Sequence, residues 1–320
     1  MSLKIIKTLD ECTGHLLVTH DGRFHPDEIL GTVILFEAFN GNVSLLRTSN
    51  PPKYLKIPHV VYDVGHEIGY TRYDHHQLGG NGKRRNGVPY ASAGLLWRDF
   101  GDIVLMNKSV PPDYINPIWK AIDNRLIQTV DCYDNGFLPA ECSDFSINRV
   151  ISNFNPTWLE QEASNVAFLI AFEVAKQIFN RELERVKAQK LAIPMVEAAI
   201  EESNDGIMIL NSSVPWDGIV VNSSLPKAKE ILYVITPSLR KGYNIVGVKK
   251  SSTNFEVRKP FPKSWAGLPK KLLREITGVE TAHFCHSARF IAGAKTLEDA
   301  KKLAAIAANY PEELPELKEG

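Results

Sequence analysis

The sequence predicts an α/β protein: an N-terminal domain with a mostly parallel sheet and helices on both faces, a helical connector, and a smaller C-terminal α+β domain. Two observations lead to this prediction. Strand-like apolar runs alternate with helix-like segments as far as residue 155, and β-rich runs separated by Pro, Gly, Asn and Ser follow residue 205. A chain of 320 residues is also long enough for two domains. We therefore divide it into residues 1–155, 156–204 and 205–320.

The first domain is predicted from four segments that alternate in character. They are LLVTH, PDEILGTVILFEAF, HVVYDVG and SAGLLWRDFG. The first and third have the length and apolar content of buried strands, and the second and fourth those of helices. Such alternation favours a parallel sheet, in which ligands bind at the carboxyl ends of the strands. His20 ends the first strand-like run and Asp63 follows the apolar part of the other, so both are expected at that edge.

The connector and the second domain have different patterns. Apolar periodicity predicts a long helix from Trp158 to about Ala192, which Pro194 should kink or end. Five short apolar runs then predict a small antiparallel sheet: IMIL (207–210), GIVV (218–221), ILYVIT (231–236), YNIVGVK (243–249) and FEVR (255–258). The helical segments LPKKLLREI and TLEDAKKLAAIAAN close the chain, so the second domain is predicted to be α+β.

The composition is that of an ordinary globular protein, with 44% hydrophobic and 23% charged residues. No apolar run is long enough to span a membrane and the N-terminus lacks a secretory signal, so we expect no membrane partner. The four cysteines form no Cys-x-x-Cys pair, which fits a reducing compartment. The expected location is intracellular: cytoplasmic in a bacterium, with nuclear or mitochondrial placement as further options in a eukaryote. Basic and acidic residues number 37 each, so no global field attracts nucleic acid.

Residues of the metal-binding types are concentrated in three motifs of the first domain. HDGRFHPDE separates the first predicted strand from the first helix, the triplet DHH occupies residues 74–76, and VDCYDNG offers two carboxylates three residues apart. Taken singly, some of these residues have ordinary explanations. Asp27 could favour the positive end of the following helix, and His25 could flank its cap. Three consecutive residues that can bind or orient a metal are harder to explain structurally.

Together the motifs provide six candidate metal ligands near strand ends and helix starts: His20, His25, Asp27, Asp63, His75 and Asp134. Six nitrogen and oxygen ligands are enough for two divalent ions, with Asp63 as the natural bridge. Because the set contains no cysteine, Mn²⁺ or Mg²⁺ is expected rather than a structural zinc ion. Two such ions stabilise both the attacking and the leaving oxygen of a phosphoryl displacement, so the sequence predicts a two-metal phosphoesterase.

These motifs, with others, resemble the melanocyte-proliferating-gene (MYG) family of the DHH phosphoesterase superfamily. The matching stretches run from residue 19 to residue 296: THDGRFHPDE, YDHHQ, ASAGLLW, VDCYDNG, NRVISNFNPTW, VRKPFPKSWAGL and HFCHSARFIAGAKT. The resemblance implies a metal-dependent hydrolase, most concretely a 3′-5′ exonuclease that acts on RNA or short oligonucleotides. It also implies a DHH-type catalytic domain at residues 1–155 and a substrate-binding domain at residues 205–320, with a homodimer left open.

The resemblance further implies roles for individual residues. One metal ion would be held by His20, His25 and Asp63, and the other by Asp27, Asp63, His75 and Asp134. His76 would act near the leaving group as an acid or charge stabiliser, and Asp74 would orient an imidazole. In the second domain, four basic residues could clamp substrate phosphates, or could form a solvated rim without a ligand: Arg258, Lys259, His286 and Arg289.

Three alternatives compete with this interpretation. Residues 25–28 and 283–286 imitate the His-Pro-Asp-Asp-Glu and His-x-x-His signatures of zinc-dependent deacetylases, but this leaves Asp63, the DHH triplet and Asp134 without a role. A small-molecule phosphatase or pyrophosphatase of the same superfamily stays open, and the zero net charge favours a short substrate over a long duplex. A non-enzymatic RNA-binding regulator stabilised by metal would be expected to lack one ligand, and none is missing.

Overall fold

A computed structural model of the protein describes residues 2–53, 55–65, 68–69, 72–77, 80–137, 146–160 and 163–311. Of the four cysteines considered above, Cys142 lies outside these residues. The chain divides into two compact units, Met1–Lys187 and Ala188–Gly320. None of the described helices combines the length and the apolar character that a membrane span requires.

One sheet organises the first unit. Within the described residues it has six strands: β1 (Lys4–Ile6), β2 (His15–Thr19), β3 (Val43–Arg47), β4 (His59–Tyr62), β5 (Ile68–Gly69) and β6 (Arg72–Tyr73). Their order is β1-β3-β2-β4-β6-β5, and every neighbouring pair is parallel except β6 with β5. Leu17 of the central strand pairs with Leu45 on one side and Val60 on the other. The predicted α/β class with a mostly parallel sheet is confirmed.

Five described helices between residues 26 and 152 accompany this sheet: α1 (Pro26–Ala38), α2 (Ser92–Asn107), α3 (Pro112–Ile122), α4 (Gln128–Asp134) and α5 (Ile147–Ser152). The first part of a longer helix, α6 (Ser164–Glu201), also lies in this unit and packs in its core. Helix α1 is apolar on almost all sides and is almost wholly buried, as expected for a helix without a polar face. Its packing against α2 is close, because a Cβ atom at Gly31 would lie 2.9 Å from a methyl group of Leu96. A π-helical turn, Asp123–Ile127, joins α3 to α4.

The two faces of the sheet are covered differently. Leu17, Leu45 and Val60 point into a core that also contains the buried side chains of α1 and α2. Leu16 and Val18 point to the opposite face, where the described apolar cluster consists of strand and loop residues. The sequence predicted helices on both faces of the sheet. Among the described residues, helices contribute to the core on the face of Leu17, whereas strand and loop residues form the cluster on the face of Leu16. Periodicity alone does not tell whether a helix or a loop covers a buried strand face.

The carboxyl ends of β2, β4 and β6 lie at one edge of the sheet, because these strands are parallel neighbours. His20 directly follows β2, Asp63 directly follows β4, and residues 74–76 directly follow β6. From β2 the chain continues to β3 on one side, whereas β4 pairs on the other side. This edge is therefore a topological switch point, where open α/β sheets bind ligands.

The second unit contains a five-stranded sheet in its described part: β7 (Ile207–Ile209), β8 (Tyr233–Pro237), β9 (Tyr243–Gly247), β10 (Ala282–Cys285) and β11 (Ile291–Ala294). The order is β10-β11-β9-β8-β7, and all pairs are antiparallel except β7 with β8, which is parallel. Helices α7 (Asp217–Val221), α8 (Lys270–Thr277) and α9 (Leu297–Asn309) complete the unit. The predicted α+β character is present, and the small sheet is antiparallel as expected except for the single parallel pair of β7 and β8.

Two predicted strands of the second unit are wrong. Residues 218–221 belong to helix α7, in which Val220 is buried. An apolar run of four residues fits a short helix as well as a strand, so its pattern was ambiguous. Residues 255–258 form only an isolated bridge between Val257 and Lys249. Phe255 at the start of this segment is 91% exposed, which explains why the segment does not extend the sheet.

The connector contains a single helix in its described part, α6 (Ser164–Glu201). It begins later than predicted, since Trp158 lies in a turn, and it continues past Pro194 instead of ending there. A proline inside a helix costs about 3 kcal/mol. Burial of Val196 and Ile200 in a core of the second unit offsets this cost.

Candidate metal centre

The loop after β2 and the first turn of α1 form one compact arrangement. Gly22 adopts a left-handed φ of 75°, which glycine tolerates without strain. His25 is the N-cap of α1, and Pro26 occupies the first helical position, where its missing N–H costs nothing. The backbone N–H of His25 donates to both carboxylate oxygens of Glu28, at 2.9 and 2.8 Å. The sequence HPDE thus begins a helix and buries Asp27 and Glu28 at its start.

His20 is held among carboxylates. Its Nε2 lies 2.9 Å from Glu28 Oε1 and 3.5 Å from Asp63 Oδ2, and its Nδ1 lies 2.8 Å from the carbonyl oxygen of Asp21. Burial alone would lower the pKa of His20, but the carboxylates of Asp63 and Glu28 outweigh burial and raise the pKa to about 11. Burial raises the pKa of Glu28. This imidazole therefore sits where a positive charge is strongly favoured.

Asp63 occupies the centre of the edge. Its φ of 53° is left-handed, a conformation that costs energy for a residue with a side chain and is concentrated at functional sites. Oδ1 of Asp63 lies 3.4 Å from His75 Nε2, which is also 3.0 Å from Asp134 Oδ2. Burial would raise the pKa of Asp63, but the imidazoles of His20 and His75 hold it below its usual value. Burial opposes protonation of His75, yet Asp134 and Asp63 raise its pKa to about 11.

Asp27 connects this cluster to helix α2. Its Oδ2 accepts a hydrogen bond from the N–H of Ser92 at 2.9 Å, and its Oδ1 accepts one from the N–H of Ala93 at 2.7 Å. These N–H groups belong to the first turn of α2, where the helix dipole favours a negative charge. Oδ2 of Asp27 also lies 3.8 Å from His75 Nε2. Burial, followed by repulsion from Asp134 and Asp63, raises the pKa of Asp27 well above its usual value.

Asp74 is fully buried and organises the DHH triplet. Its Oδ1 accepts hydrogen bonds from the backbone N–H groups of His75 at 2.8 Å and His76 at 3.1 Å. The same oxygen lies 2.7 Å from Nδ1 of His76. This contact with Asp74 is the main cause of a raised pKa of His76. Asp74 therefore orients the imidazole of His76, whose side chain is 44% exposed.

Three groups of described side chains have ligand atoms within 4.8 Å of one another: His20, His25, Glu28 and Asp63; Asp63, His75 and His76; and Asp27, His75 and Asp134. The structure brings together all six ligands predicted from the sequence, and Asp63 belongs to two of the groups. Glu28 was not predicted as a ligand, although its place three residues after the N-cap is a sequence signal for a buried helix start. Neither His283 nor His286 belongs to these groups among the described residues.

The cluster has the chemistry of a divalent-metal site. Both carboxylate oxygens of Asp63 and Nε2 of His75 are buried and make no well-aligned hydrogen bond in the described part of the chain, although His75 Nε2 lies 3.0 Å from Asp134 Oδ2. Orphaned buried polar atoms are costly unless a cation or donor meets them. Imidazole nitrogens and several carboxylate oxygens converge here, which suits Mn²⁺, Mg²⁺ or a similar divalent ion. The residues present therefore fit such an ion.

The four basic residues predicted to bind substrate lie in the second unit. Nη1 of Arg258 donates to the carbonyl oxygens of Ala228 and Ile231 at 2.5 and 2.8 Å. Nζ of Lys259 donates to two main-chain carbonyls near the end of α9, at 2.7 and 2.9 Å. These two side chains thus have structural contacts that the sequence did not indicate.

His286 and Arg289 lie in the turn between β10 and β11. The N–H of Ala288 donates to Nδ1 of His286 at 3.0 Å, and the His286 ring centre is 4.6 Å from that of Phe290. Arg289 has a left-handed φ of 60°, and its Nη1 lies 3.3 Å from the carbonyl oxygen of Phe261. The role of all four basic residues in phosphate binding stays a prediction.

Fold and site together define an α/β protein with a candidate divalent-metal centre at the carboxyl edge of its parallel sheet. The family model MYG1_exonuc, described as an uncharacterised protein family (UPF0160), matches residues 16–308. The chain therefore belongs to this MYG1 family, as its motifs predicted.

Individual relatives are similar over most of their length. A MYG1 protein of Schizosaccharomyces pombe is 26% identical over 320 residues, which are 92% of this chain and 98% of the relative. The MYG1 exonuclease of Rattus norvegicus is 27% identical over 315 residues, 89% of this chain and 82% of the relative. The crystal structure of RecJ in complex with Mn²⁺ from Thermus thermophilus has 14% identity and a TM-score of 0.27, a similarity too weak to define a common fold. That comparison covers 93% of this chain and 52% of the RecJ chain.

Proposed function

We propose that this protein is a metal-dependent phosphoesterase, a 3′-5′ exonuclease that acts on RNA or short oligonucleotides by a two-metal mechanism. The observation that carries the proposal is the sharing of Asp63 between two neighbouring ligand groups at one sheet edge. A carboxylate between two groups is the arrangement that two adjacent ions require. Relatives of similar length named MYG1 exonuclease support a nuclease rather than another hydrolase.

The ligand groups suggest how the ions would be held. We assign His20, His25, Glu28 and Asp63 to one ion, and the group of Asp27, His75 and Asp134 to the other. Asp63 would complete the second set as well, because its Oδ1 lies 3.4 Å from His75 Nε2. Two divalent ions, when bound, would supply charge stabilisation for the attacking and the leaving oxygen of an in-line displacement at phosphorus. The buried helix start holds Asp27 and Glu28 in place before an ion arrives, which lowers the cost of assembling the site.

His76 is our candidate for the group that serves the leaving oxygen. Because Asp74 engages Nδ1 at 2.7 Å, Nε2 is the nitrogen that would give its proton to that oxygen. The raised pKa of His76, caused mainly by Asp74, favours the protonated imidazole that a general acid requires. A charged imidazole would also offset the negative charge that develops as the phosphodiester bond breaks.

A small-molecule phosphatase or pyrophosphatase is the second candidate. It is favoured by the balance of 37 basic and 37 acidic residues, because long nucleic acids are usually bound by a net excess of basic charge. The same ligand groups would serve either substrate, so the metal centre does not discriminate between them. Discrimination rests on the product of the reaction.

The test uses purified protein with Mn²⁺, and with a chelator as control. Substrates are single-stranded RNA and DNA labelled at either end, pyrophosphate, and a small phosphodiester. A 3′-5′ exonuclease converts 5′-labelled RNA into a descending ladder and releases labelled mononucleotide at once from 3′-labelled RNA. Turnover of pyrophosphate alone would establish the second candidate. Binding of Mn²⁺ and RNA without any turnover would favour a non-enzymatic regulator.

A further inference from the structure

Two buried arginines lie next to the candidate metal centre without belonging to its ligand groups. Arg47 and Arg84 are each 8% exposed. A guanidinium does not bind a metal ion, since it has no free lone pair at any ordinary pH. Each arginine instead contacts a segment that carries candidate ligands, and the two arginines contact different segments.

Arg84 contacts two buried carboxylates. Its Nε and Nη2 donate to Asp123 at 2.9 and 2.6 Å, a bidentate pair, and its Nη1 donates to Asp131 at 2.6 Å. The guanidinium carbon lies 4.3 Å above the ring of Tyr90. Such a planar fork fixes the direction as well as the distance of both carboxylates, which a lysine does not achieve.

These contacts fix the orientation of helix α4. Asp123 begins the π-helical turn that leads into α4, and Asp131 lies on α4 itself. Asp134 follows three residues later on the same helix face and reaches His75 Nε2 at 3.0 Å. A π-helical turn interrupts the regular hydrogen-bond ladder at the point where the chain enters α4. Arg84 contacts both sides of this irregularity, because it holds one carboxylate at the first π-helical residue and one on α4 after the turn.

Asp131 also joins α4 to α2. Its Oδ1 accepts a hydrogen bond from the N–H of Gly94 at 3.0 Å, next to the two N–H groups that hold Asp27. The first turn of α2 therefore binds one carboxylate from α1 and one from α4. Displacement of Asp131 would disturb Asp27 and Asp134 together, which belong to the same ligand group.

Arg47 contacts the loop that carries the other ligand group. Its Nη2 donates to the carbonyl oxygen of Gly22 at 2.9 Å, midway between His20 and His25 in the chain. Its Nη1 donates to the hydroxyl of Ser164 at 3.0 Å, and that hydroxyl donates to the same Gly22 carbonyl. Arg47 thus ties the loop to the start of α6.

We propose that Arg84 and Arg47 are positioning residues, each of which holds one of the two metal-binding groups in its binding geometry. Arg84 positions Asp27, His75 and Asp134, and Arg47 positions His20 and His25. The inference rests on the metal centre of the proposed function and goes beyond it, because it assigns separate supports to the two ions. Loss of a residue that orients metal ligands typically weakens metal binding about 10- to 100-fold.

The test is calorimetric titration of the metal-free protein with Mn²⁺, without any assay of activity. Arg84→Lys and Arg47→Lys keep the positive charge but remove the planar guanidinium, which donates to two acceptors in fixed directions. The ligand variants Asp134→Asn and His25→Ala show how much Mn²⁺ affinity is lost when a ligand of each ion is removed. Arg98→Lys is the matched control, because Arg98 is an exposed arginine near the same Tyr90 ring. Thermal melting of every metal-free variant establishes that it is folded. If Arg84→Lys does not fold, Asp123→Asn replaces it, since it weakens the same clamp at unchanged size.

The expected result is that each arginine variant weakens the binding of one ion and leaves the other unchanged. Arg84→Lys weakens binding of one ion about tenfold or more, and combining it with Asp134→Asn gives no further loss of binding, because both changes act on the same ion. Arg47→Lys shows the same relation to His25→Ala, and the crossed combinations are additive. Wild-type affinity for both ions in either arginine variant, or equal weakening of both ions, overturns the proposal while the metal centre stands. A wild-type protein that binds no Mn²⁺ overturns both this proposal and the proposed function. Metal binding without turnover in the substrate assay of the proposed function overturns the proposed reaction alone.

Discussion

The carboxylate of Asp27 accepts a hydrogen bond from the backbone N–H of Ala93 at 2.7 Å, so a candidate metal ligand on α1 also caps helix α2. Gly94, the next residue, donates its N–H to Asp131 at 3.0 Å. One helix start therefore fixes two buried carboxylates from separate segments of the chain. The capped geometry exists before any ion binds, because it depends on main-chain donors alone. It also makes the first turn of α2 sensitive to side-chain size.

The first prediction concerns that turn. A Cβ atom at Gly94 would lie 1.9 Å from Asp131 Oδ2, so Gly94→Ala forces the carboxylate to move. We expect the free energy of unfolding to fall by about 1–3 kcal/mol, the usual cost of overpacking, and Mn²⁺ affinity to fall as well. Thermal unfolding and calorimetric titration measure the two effects. Gly218→Ala on α7 is the matched control: apart from its chain neighbours and the backbone of its own helix, no heavy atom of the described residues lies within 4 Å of its Cβ position, so it should be neutral or stabilising.

The sequence was sufficient to locate the candidate metal centre but not the buried contacts around it. His20 and Asp63 end apolar runs, and the carboxyl edge of a parallel sheet follows from such runs, so their meeting could be predicted. Arg84 and Asp131 are 47 residues apart, in a pattern that resembles any solvated pair of charges. Their contact depends on how α4 packs on α2, and no local periodicity encodes it. Glu28 was missed as a candidate ligand because its local role at the helix start already accounts for an acidic residue at this position.

The fold was predictable where strand-like and helix-like segments follow one another along the chain, because each segment then supports the interpretation of the next. The strands β2 and β4 and the helix α1 lie in such a region, and the structure contains them. The strand predicted at residues 218–221 is wrong because an isolated run of four apolar residues fits a short helix as well as a strand. Of the two outcomes expected at Pro194, a kink or an end of the helix, the end is wrong because burial of the residues after Pro194 outweighs the local penalty. Local rules were overridden in both cases by packing that the sequence does not display.

The second prediction is that Asp63→Asn abolishes binding of two ions and the phosphoesterase activity. Asn tolerates the left-handed conformation of residue 63, so the backbone should be preserved while one negative charge is lost. Because ligand-orienting residues alone are worth about 10- to 100-fold in metal affinity, we expect a loss of at least that size. Metal analysis and Mn²⁺ titration measure it. Asp99→Asn removes an exposed carboxylate and should change nothing; full activity of Asp63→Asn with two bound ions would contradict the scheme.

The third prediction separates the adjacent histidines. His75 Nε2 faces Asp63 and Asp134, whereas His76 is oriented by Asp74 and is partly exposed. We expect His75→Ala to lose metal, and His76→Ala to keep metal but lower kcat about 100-fold or more, as for removal of a general acid. Metal content and steady-state kinetics are measured on the same preparations. Equal metal loss in both variants would mean that the two roles are wrongly assigned.

The fourth prediction is that Mn²⁺ binding releases protons and strengthens as the pH rises. The pKa of His20 and that of His75 are raised from 6.5 to about 11, so both imidazoles are charged in the metal-free protein at neutral pH. The stabilisation from these charged imidazoles is fully present below pH 6.5 and is lost as the pH rises towards 11. A metal ion needs the neutral imidazoles, so each released proton improves the apparent affinity about tenfold per pH unit.

Calorimetric titration in buffers of different ionisation enthalpy counts these protons. At neutral pH the protein should release about two protons for the two imidazoles when both ions bind. His20→Ala provides the control, because it removes one of the two titrating groups and should lower the number of protons by about one. An apparent affinity that does not change with pH would show that neither imidazole is charged before metal binding.

The fifth prediction concerns the second unit and distinguishes Arg258 from Arg289. A clamp on substrate phosphate binds ground state and transition state alike, so its loss should appear mainly in KM. We expect Arg289→Ala to raise KM about tenfold for a long RNA and less for a short phosphoester, with metal binding unchanged. Arg258→Ala should raise KM in the same direction if it also contacts phosphate. It should in addition lower the free energy of unfolding by about 1–3 kcal/mol, because it leaves the carbonyls of Ala228 and Ile231 without their donor.

Kinetics with both substrates and thermal unfolding of both variants give the readouts for this pair. The fold-change in KM for the long RNA divided by that for the short phosphoester tells whether the second unit binds a polymer. A ratio near one for Arg289→Ala would indicate that only the phosphate next to the scissile bond is held. If KM changes in neither variant, the basic residues form a solvated rim. A loss of stability without a change in KM for Arg258→Ala would then identify Arg258 as a structural support of the second unit.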